Sequence, residues 1–386
     1  MIHHILNASL VSGPERLVLP NLQTLAENCE IVLLQENRRP EGAAGVAEYS
    51  RGFGFTVHEF AVAGRVDVKA VRALRAFWHE RRPRIAHAHG PKAAFHTMLA
   101  LRGVSPRPWL LTTHHGVRAF DQSPKLRLFE ALYEKLIIPR TDLCLTVCTS
   151  DRTLLIQRGV PAARLAVHLN GISRRQLIGE ERTGQAERAR QVWSRDVGSD
   201  LSAAYLVGVV GRLSPEKQHD LVLRAFARLR ERHPDLDARL LCFGSGPLEA
   251  TLARRTADLG LGDRVHWLGY RPDVPAEIAG LDVLLSASSA EGLPINLIEA
   301  GWAAVPVVAN GVDGVRDLIR DGDTGMLLQP PPTPDAIAAA LAAIGADGPG
   351  ARRMADALQA RVGTEFSGEA WTRRLLEIYD GFPARA

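Results

Sequence analysis

The sequence predicts two α/β domains of similar size, each built on a mostly parallel sheet, and three observations carry that prediction. Short Val/Ile/Leu runs alternate with longer amphipathic stretches, the pattern of successive βα units. The alternation lapses into a polar stretch after Gly171 and then restarts. At 386 residues, each half has enough chain to bury a core of its own.

In the first half, strands are expected at residues 2–6, 30–35, 56–60, 84–88, 109–113, 143–147 and 165–168, most of them separated by helical stretches. Gly179-Glu-Glu-Arg-Thr-Gly184 and its surroundings show little apolar periodicity. Residues 173–202 therefore read as a linker, with room for a short helix, between a domain at 1–172 and a domain at 203–365. The second half repeats the alternation, with strands at 205–210, 239–243, 265–268, 283–286, 305–309 and 325–328. Its helices are expected at about 215–232, 247–259, 294–303, 334–344 and 349–365. Gln329-Pro-Pro-Pro-Thr-Pro334 cannot be helical inside and reads as a stiff extended connection. The last segment, 366–386, places Trp371, Leu375, Leu376 and Tyr379 at helical spacing. Two such domains are expected to leave a cleft between the C-terminal edges of their sheets, where ligands of α/β folds bind.

Composition narrows the function classes. With 46% hydrophobic and 23% charged residues the chain is neither a disordered segment nor a membrane bundle. Met1-Ile-His-His-Ile-Leu6 lacks a basic region followed by a long apolar one, and no run approaches the ~18 apolar residues of a membrane span. A cytoplasmic protein is expected. Cys29, Cys144, Cys148 and Cys242 lie in or beside apolar runs without Cys-x-x-Cys spacing, so buried reduced thiols are expected rather than a disulfide framework or a zinc site. Residues 1–170 carry 22 Lys and Arg against 14 Asp and Glu, whereas the remainder carries 25 against 29. The basic half suits an anionic substrate or a membrane surface; nucleic acid is not expected, because no aromatics interleave with the cations. The stretch from Val71 to Arg84 puts Leu74, Phe77 and Trp78 on one helical side with Arg72, Arg75 and Arg82 at the rim. That face either lies on an anionic membrane or, the stronger reading, packs on its own sheet.

The motifs that carry chemistry fall mostly in the second half. Ala287-Ser-Ser-Ala-Glu291-Gly-Leu-Pro294-Ile-Asn296-Leu-Ile-Glu299 reads as a strand end, a glycine-containing loop and a proline at a first helical position. Free N–H groups and the positive dipole end suit a phosphate there, and two carboxylates can accept hydrogen bonds from sugar hydroxyls. Gly211-Arg212-Leu-Ser-Pro-Glu-Lys217-Gln-His219 sets a planar fork and a point charge at another strand end, a pair that matches a diphosphate. Phe243-Gly244-Ser-Gly246-Pro is a strand–turn–helix where backbone can approach a ligand closely.

In this order, together with Leu268-Gly-Tyr270-Arg271-Pro-Asp273 and Val305-Pro-Val-Val-Ala-Asn310-Gly311, these motifs resemble the retaining glycosyltransferases of the GT-B fold, the large family 4. That resemblance implies two Rossmann-like domains facing each other across a cleft and a UDP- or GDP-sugar donor. It implies that Arg212 and Lys217 hold the donor diphosphate and that Glu299 binds the ribose hydroxyls. Glu291, with the backbone of Gly292, Leu293, Pro294, Ile295 and Asn296, would hold the transferred sugar and phosphates, while Tyr270 and Arg271 would lie beside the nucleobase. In the first half, Ser12-Gly13-Pro-Glu-Arg16 stands where the family has Gly-Gly-x-Glu-Arg, which puts Gly13 near the diphosphate. Ala86-His87-Ala-His89-Gly90 resembles the strand-end His-x-His, and Thr112-Thr-His114-His115-Gly116 resembles T-x-H-G, whose histidine before glycine touches the donor sugar. His115 is therefore preferred to His114. Asn170-Gly-Ile172 resembles the family's Asn-Gly-Val at the end of the first domain, and the terminal helix is expected to cross back onto that domain.

The activity so implied is transfer of a hexosyl or N-acetylhexosaminyl group, with retention, to a hydroxyl of a glycan, a lipid-linked sugar or a small molecule. Two alternatives stay open: a nucleotide-sugar epimerase on the same fold, and a binding subunit without catalysis. Neither a metal nor another cofactor is expected, because Asp235-Leu-Asp237 and Asp321-Gly-Asp323 read as loop chemistry away from the phosphate motifs. The acceptor loops at 35–65 and 116–124 carry no readable motif.

Overall fold

The computed structural model describes residues 1–8, 11, 13–35, 45–64, 66–116, 131–173, 182–271 and 274–385. Ser12, Pro272, Asp273, the Gly179–Glu181 part of the polar stretch, and residues 36–44, 65 and 117–124 of the acceptor loops lie outside them. The chain divides into two compact units, Met1–Asn170 with Gly368–Ala386, and Gly171–Ser367.

In unit 1, β1 (Ile2–Leu6), β2 (Cys29–Gln35), β3 (Thr56–Ala61), β4 (Ile85–His89), β5 (Trp109–His114), β6 (Leu143–Thr146) and β7 (Leu165–Val167) form one sheet in the order β3-β2-β1-β4-β5-β6-β7. Every neighbouring pair is parallel. In unit 2, β8 (Tyr205–Val210), β9 (Ala238–Phe243), β10 (Val265–Gly269), β11 (Val283–Ser286), β12 (Val307–Asn310) and β13 (Met326–Leu328) run β10-β9-β8-β11-β12-β13, again all parallel. Strand order reverses between β1 and β4 in one sheet and between β8 and β11 in the other. These are the switch points beside which α/β sheets hold ligands.

Side-chain alternation assigns the faces of the unit 1 sheet. Ile5, Ala86, Ala88 and Leu110 join the apolar core on one face. Residues His4, His87, His89 and Thr113 alternate with them and share the other, since His4 pairs His87 and His89 pairs Thr113 in register. The helix Val68–Arg81 packs on the apolar face: Asp67 caps it through Lys69 N and Ala70 N, and Leu74 and Trp78 are fully buried with Phe77 against the same core. Its apolar stripe is thus committed to the sheet and is not available to a membrane. Among the described residues no helix is long and apolar enough to cross one.

The expected linker 173–202 holds a sixteen-residue helix, Arg182–Val197, that belongs to unit 2. Trp193 is fully buried over Gly280, where a Cβ would fall 2.8 Å from the indole. Arg190 reaches Asp282 at 2.8 Å and donates to the carbonyls of Gly280, Leu201, Ser202 and Ala204. Anchored by a few scattered residues, among them Trp193, Ala189 and Arg190, rather than by a continuous apolar stripe, the helix has little periodicity to read. At the other end, the helix Gly368–Asp380 lies in unit 1. Trp371, Leu375 and Tyr379 are buried, Leu376 is turned outward, and Thr372 and Arg374 donate to the carbonyls of Asn21 and Leu169. All four cysteines are buried free thiols.

Candidate active site

The C-terminal ends of β8, β9 and β10 are stitched together by backbone. Gly211 N donates to Phe243 O at 2.9 Å, Gly244 N to Gly269 O at 2.8 Å, and Leu213 N to Ser245 O at 3.0 Å. Gly244 has φ +133°, and a Cβ there would lie 2.0 Å from Gly211 O; at Gly246 it would lie 2.5 Å from Leu213 O. Both glycines are required by this strand-end contact, which fixes the turn carrying Arg212 and Lys217.

Across the switch point, the loop after β11 is held from both sides. Ser289 N donates to Glu216 O at 2.8 Å, Asn296 Nδ2 to Val210 O at 2.8 Å, and Asn310 Nδ2 to Ser288 O at 2.9 Å. The two motifs read separately in the sequence meet here: Lys217 Nζ lies 2.5 Å from Glu291 Oε1, with the carboxylate side chain only 9% exposed. Asp313, absent from the expected set, accepts from Glu291 N at 3.2 Å. It is buried with φ +39°, a conformation that composition does not announce. His219, the last residue of the Gly211 motif, is also buried, its two ring nitrogens have no hydrogen-bond partner among the described residues, and desolvation lowers its pKa to about 4.

The remaining expected residues surround this pair unevenly. Arg212 is exposed. Leu293 and Pro294 are buried, and Pro294 is the cap one residue before the helix Ile295–Trp302, whose first turn has no side-chain cap. Gly292, Ile295, Asn296 and Glu299 are half-buried on that loop and helix. Tyr270 is 62% exposed. Arg271 is tied to Asp196 and, at 3.5 Å, to Glu277, so its guanidinium fastens the helix Arg182–Val197. Asp237 pairs with Arg239 and Arg264, and Asp321 accepts from Leu327 N, so both Asp-x-Asp runs are occupied by loop contacts.

In unit 1, Gly13 opens the helix Gly13–Leu22. His115 follows β5, half-buried, with Nε2 3.4 Å from His89 Nδ1. Burial lowers its pKa to about 4, as it does for His114, which is enclosed against Tyr133. Behind His115 the ring nitrogens continue in contact. His89 Nε2 lies 3.0 Å from His4 Nδ1, and His4 Nε2 lies 3.2 Å from Tyr379 Oη. Tyr379 Oη lies 2.7 Å from His87 Nδ1, and His87 Nε2 lies 2.7 Å from Thr113 Oγ1. Among the described residues, His4, His87 and His89 form the group with metal-like spacing, their ligand atoms within 4.8 Å of one another. All six of their ring nitrogens already have hydrogen-bond partners, so hydrogen bonding alone satisfies the cluster. The alternation in Ile85-Ala-His-Ala-His89 was the available signal that these histidines share a face; Tyr379, nearly three hundred residues away, gave none.

Two family profiles match the chain: "Glycosyltransferase Family 4" over residues 11–176 and "Glycosyl transferases group 1" over 197–361. A D-inositol 3-phosphate glycosyltransferase of Corynebacterium urealyticum is 30% identical over 262 residues, covering 65% of this chain and 59% of that protein. A 2-deoxystreptamine glucosyltransferase of Streptomyces kanamyceticus is 35% identical over 127 residues, 32% of each chain. The chain thus spans less than two thirds of the length of these relatives. Among solved structures, Anabaena HepE in complex with UDP and glucose matches with a TM-score of 0.82 at 19% identity, over 98% of this chain and 99% of that one. Sucrose-phosphate synthase from Thermosynechococcus elongatus matches with a TM-score of 0.78 at 19% identity, over 98% of both chains.

Proposed function

The chain belongs to the family 4 glycosyltransferases, of the GT-B fold, and on that premise we propose that it transfers a hexosyl or N-acetylhexosaminyl group from a nucleoside diphosphate sugar to an acceptor hydroxyl, with retention at the anomeric carbon. The observation that carries the reading is the Lys217–Glu291 contact at the β8/β11 switch point. It brings a phosphate-type cation and a sugar-type carboxylate together where an α/β sheet binds its ligand.

In this reading Lys217 and Arg212 take the diphosphate, and the uncapped N–H groups at Ile295 add the positive end of a helix dipole. Glu299 accepts from the ribose hydroxyls. Glu291 and the backbone of Gly292–Asn296 hold the sugar and Tyr270 borders the base; the family resemblance gives Gly13 and His115 donor contacts of their own. As the bond from the anomeric carbon to the phosphate oxygen breaks, positive charge develops on the sugar and negative charge on the leaving diphosphate. The fixed cations stabilise the latter. The acceptor oxygen bonds to the anomeric carbon on the face the phosphate is leaving, and a phosphate oxygen takes its proton. Lys217 is held by Glu291 before the donor arrives, so binding exchanges one anionic partner for another without desolvating a free ammonium.

The neighbouring HepE structure contains UDP and glucose, which makes UDP-sugars the first donors to test and GDP-sugars the second. The acceptor is proposed to be a surface-glycan intermediate or a small natural product, the latter supported by the 2-deoxystreptamine relative. A panel of nucleotide sugars, scored for thermal stabilisation and then for slow hydrolysis without acceptor, tests the reading. Stabilisation and hydrolysis by one nucleotide class supports it; no response to any diphosphate sugar refutes it.

A further inference from the structure

The contacts behind His115 form an unbroken chain from Thr113 through His87, Tyr379, His4 and His89. We propose that His87, Tyr379, His4 and His89 are positioning residues that lock His115 in its Nδ1–H tautomer, with the direction of the chain dictated by the hydroxyl of Thr113. The inference rests on the reading of His115 as a contact to the transferred sugar.

The direction follows from counting hydrogens. A neutral imidazole carries one N–H and one acceptor nitrogen, so a hydrogen entering at one nitrogen fixes the hydrogen leaving at the other. All four side chains between Thr113 Oγ1 and His115 are linked through their only polar atoms. Thr113 is 4% exposed, and among the described residues its hydroxyl meets no acceptor other than His87 Nε2. Its O–H therefore donates to His87 Nε2. His87 must then donate from Nδ1 to Tyr379 Oη, and Tyr379 donates its hydroxyl to His4 Nε2. His4 donates from Nδ1 to His89 Nε2, and His89 from Nδ1 to His115 Nε2. The one hydrogen of His115 is left on Nδ1. Running the chain in the opposite sense would bury the Thr113 hydroxyl hydrogen without a partner, which is the more costly arrangement.

Burial keeps the participants in the states the count needs. His4, His87, His89 and His115 are all held neutral by desolvation, and the Tyr379 phenol is pushed well above its ordinary range. His168, which also approaches His87, is neutral too and spends Nε2 on the carbonyl of Trp371, outside the chain. His114 lies against Tyr133 instead. The consequence for the site is chemical. An Nδ1–H can donate to a sugar hydroxyl or to an oxygen gaining negative charge, whereas the other tautomer would present a lone pair there and repel it. Control of that choice lies with a strand residue and with a tyrosine on the terminal helix Gly368–Asp380, neither of which is assigned a contact with substrate.

The test uses the full chain labelled with ¹⁵N-histidine, reading ring tautomers by long-range ¹H–¹⁵N NMR and assigning His115 by the signals lost in His115→Ala. Wild type is expected to show a protonated Nδ1 and a bare Nε2 at His115. Thr113→Ser, which keeps the hydroxyl, should reproduce this. Thr113→Val and Tyr379→Phe should give a mixture of tautomers and lower kcat about tenfold, the low end for partners that orient a functional side chain. The KM for the donor should stay within about twofold, as expected when a transition-state contact is lost. If one variant fails to fold, as judged by its melt, the other is read alone. A protonated Nε2 at wild-type His115, an unchanged tautomer in the folded variants, or stoichiometric zinc in the purified protein overturns the proposal. If the tautomers behave as stated but His115→Ala transfers sugar as fast as wild type, the role given to His115 fails while the chain stands.

Discussion

The ion pair between Lys217 and Glu291 predicts an asymmetry between its two partners. Lys217→Met keeps most of the side-chain volume and removes the charge, leaving a carboxylate that is 9% exposed without its cation; Glu291→Gln leaves an ammonium that is 21% exposed and can turn to water. Losing a charge-assisted hydrogen bond from a buried partner costs about 1.5–3 kcal/mol, and the better-exposed partner should cost about 1 kcal/mol or less. Unit 2 spans residues 171–367, a size at which each kcal/mol moves Tm by roughly 2–4 °C. Lys217→Met should therefore melt roughly 3–12 °C lower, and Glu291→Gln within about 4 °C of wild type. Binding separates them further. Without Lys217 the diphosphate loses a cation, so affinity for UDP by titration calorimetry should fall about 10- to 150-fold. Glu291→Gln frees the cation and should bind UDP at least as tightly as wild type, yet transfer sugar poorly. Wild-type UDP affinity in Lys217→Met, or equal losses in both variants, would refute the assignment of diphosphate to one partner and sugar to the other.

Glu299→Ala should lose about 1.5–3 kcal/mol of nucleotide affinity through the ribose hydroxyls, measured by the same calorimetry with UDP; unchanged affinity would contradict that role. Gly244→Ala must move Gly211, whose carbonyl oxygen would lie 2.0 Å from the new Cβ, and should cost about 2–4 kcal/mol in a denaturant titration together with nucleotide binding. Activity should survive EDTA, because Arg212 and Lys217 supply the neutralising charge; complete loss restored by Mg²⁺ or Mn²⁺ would move the leaving-group chemistry to other residues. Stability should depend steeply on acid. In unit 1, desolvation is the chief cause that lowers His3, His114, His115 and His168 from 6.5 to about 4 and His4 to about 3, and it holds His87 and His89 well below their ordinary range. The unfolded chain takes up these protons first. Their stabilisation is thus present above about pH 6.5 and is lost as pH falls towards 4, each site contributing up to about 1.4 kcal/mol per pH unit. Thermal melts at stepped pH should show unit 1 failing first; melts flat between pH 7 and 4.5 would contradict it.

What the sequence made legible tracks where information is local. Strand runs such as Tyr205–Val210 and Ala238–Phe243 stand out because buried parallel strands are continuous apolar stretches. The strand-end motifs around Lys217 and Glu291 were readable because glycine, proline and charge are concentrated in a few consecutive residues. Their contact was not, since it depends on β8 and β11 being neighbours across a reversal of strand order. The full length of the helix Arg182–Val197 was hidden because its docking rests on a few scattered residues, Trp193, Arg190 and the Asp196 that Arg271 holds, rather than on an apolar stripe. Asp313 was missed because it owes its place to a left-handed backbone; the terminal helix carrying Tyr379 was expected to join the first domain, but its hydrogen bonds to His4 and His87 leave no mark in local sequence.

The central claim, retaining transfer driven by cations on the leaving diphosphate, is tested most directly by following the anomeric proton by ¹H NMR during turnover of an α-linked nucleotide sugar that the protein accepts. The account predicts that the first product formed, glycoside or hydrolysed sugar, is the α anomer before mutarotation. It also predicts that Lys217→Met slows its appearance without changing its configuration. A β anomer as first product would contradict the account.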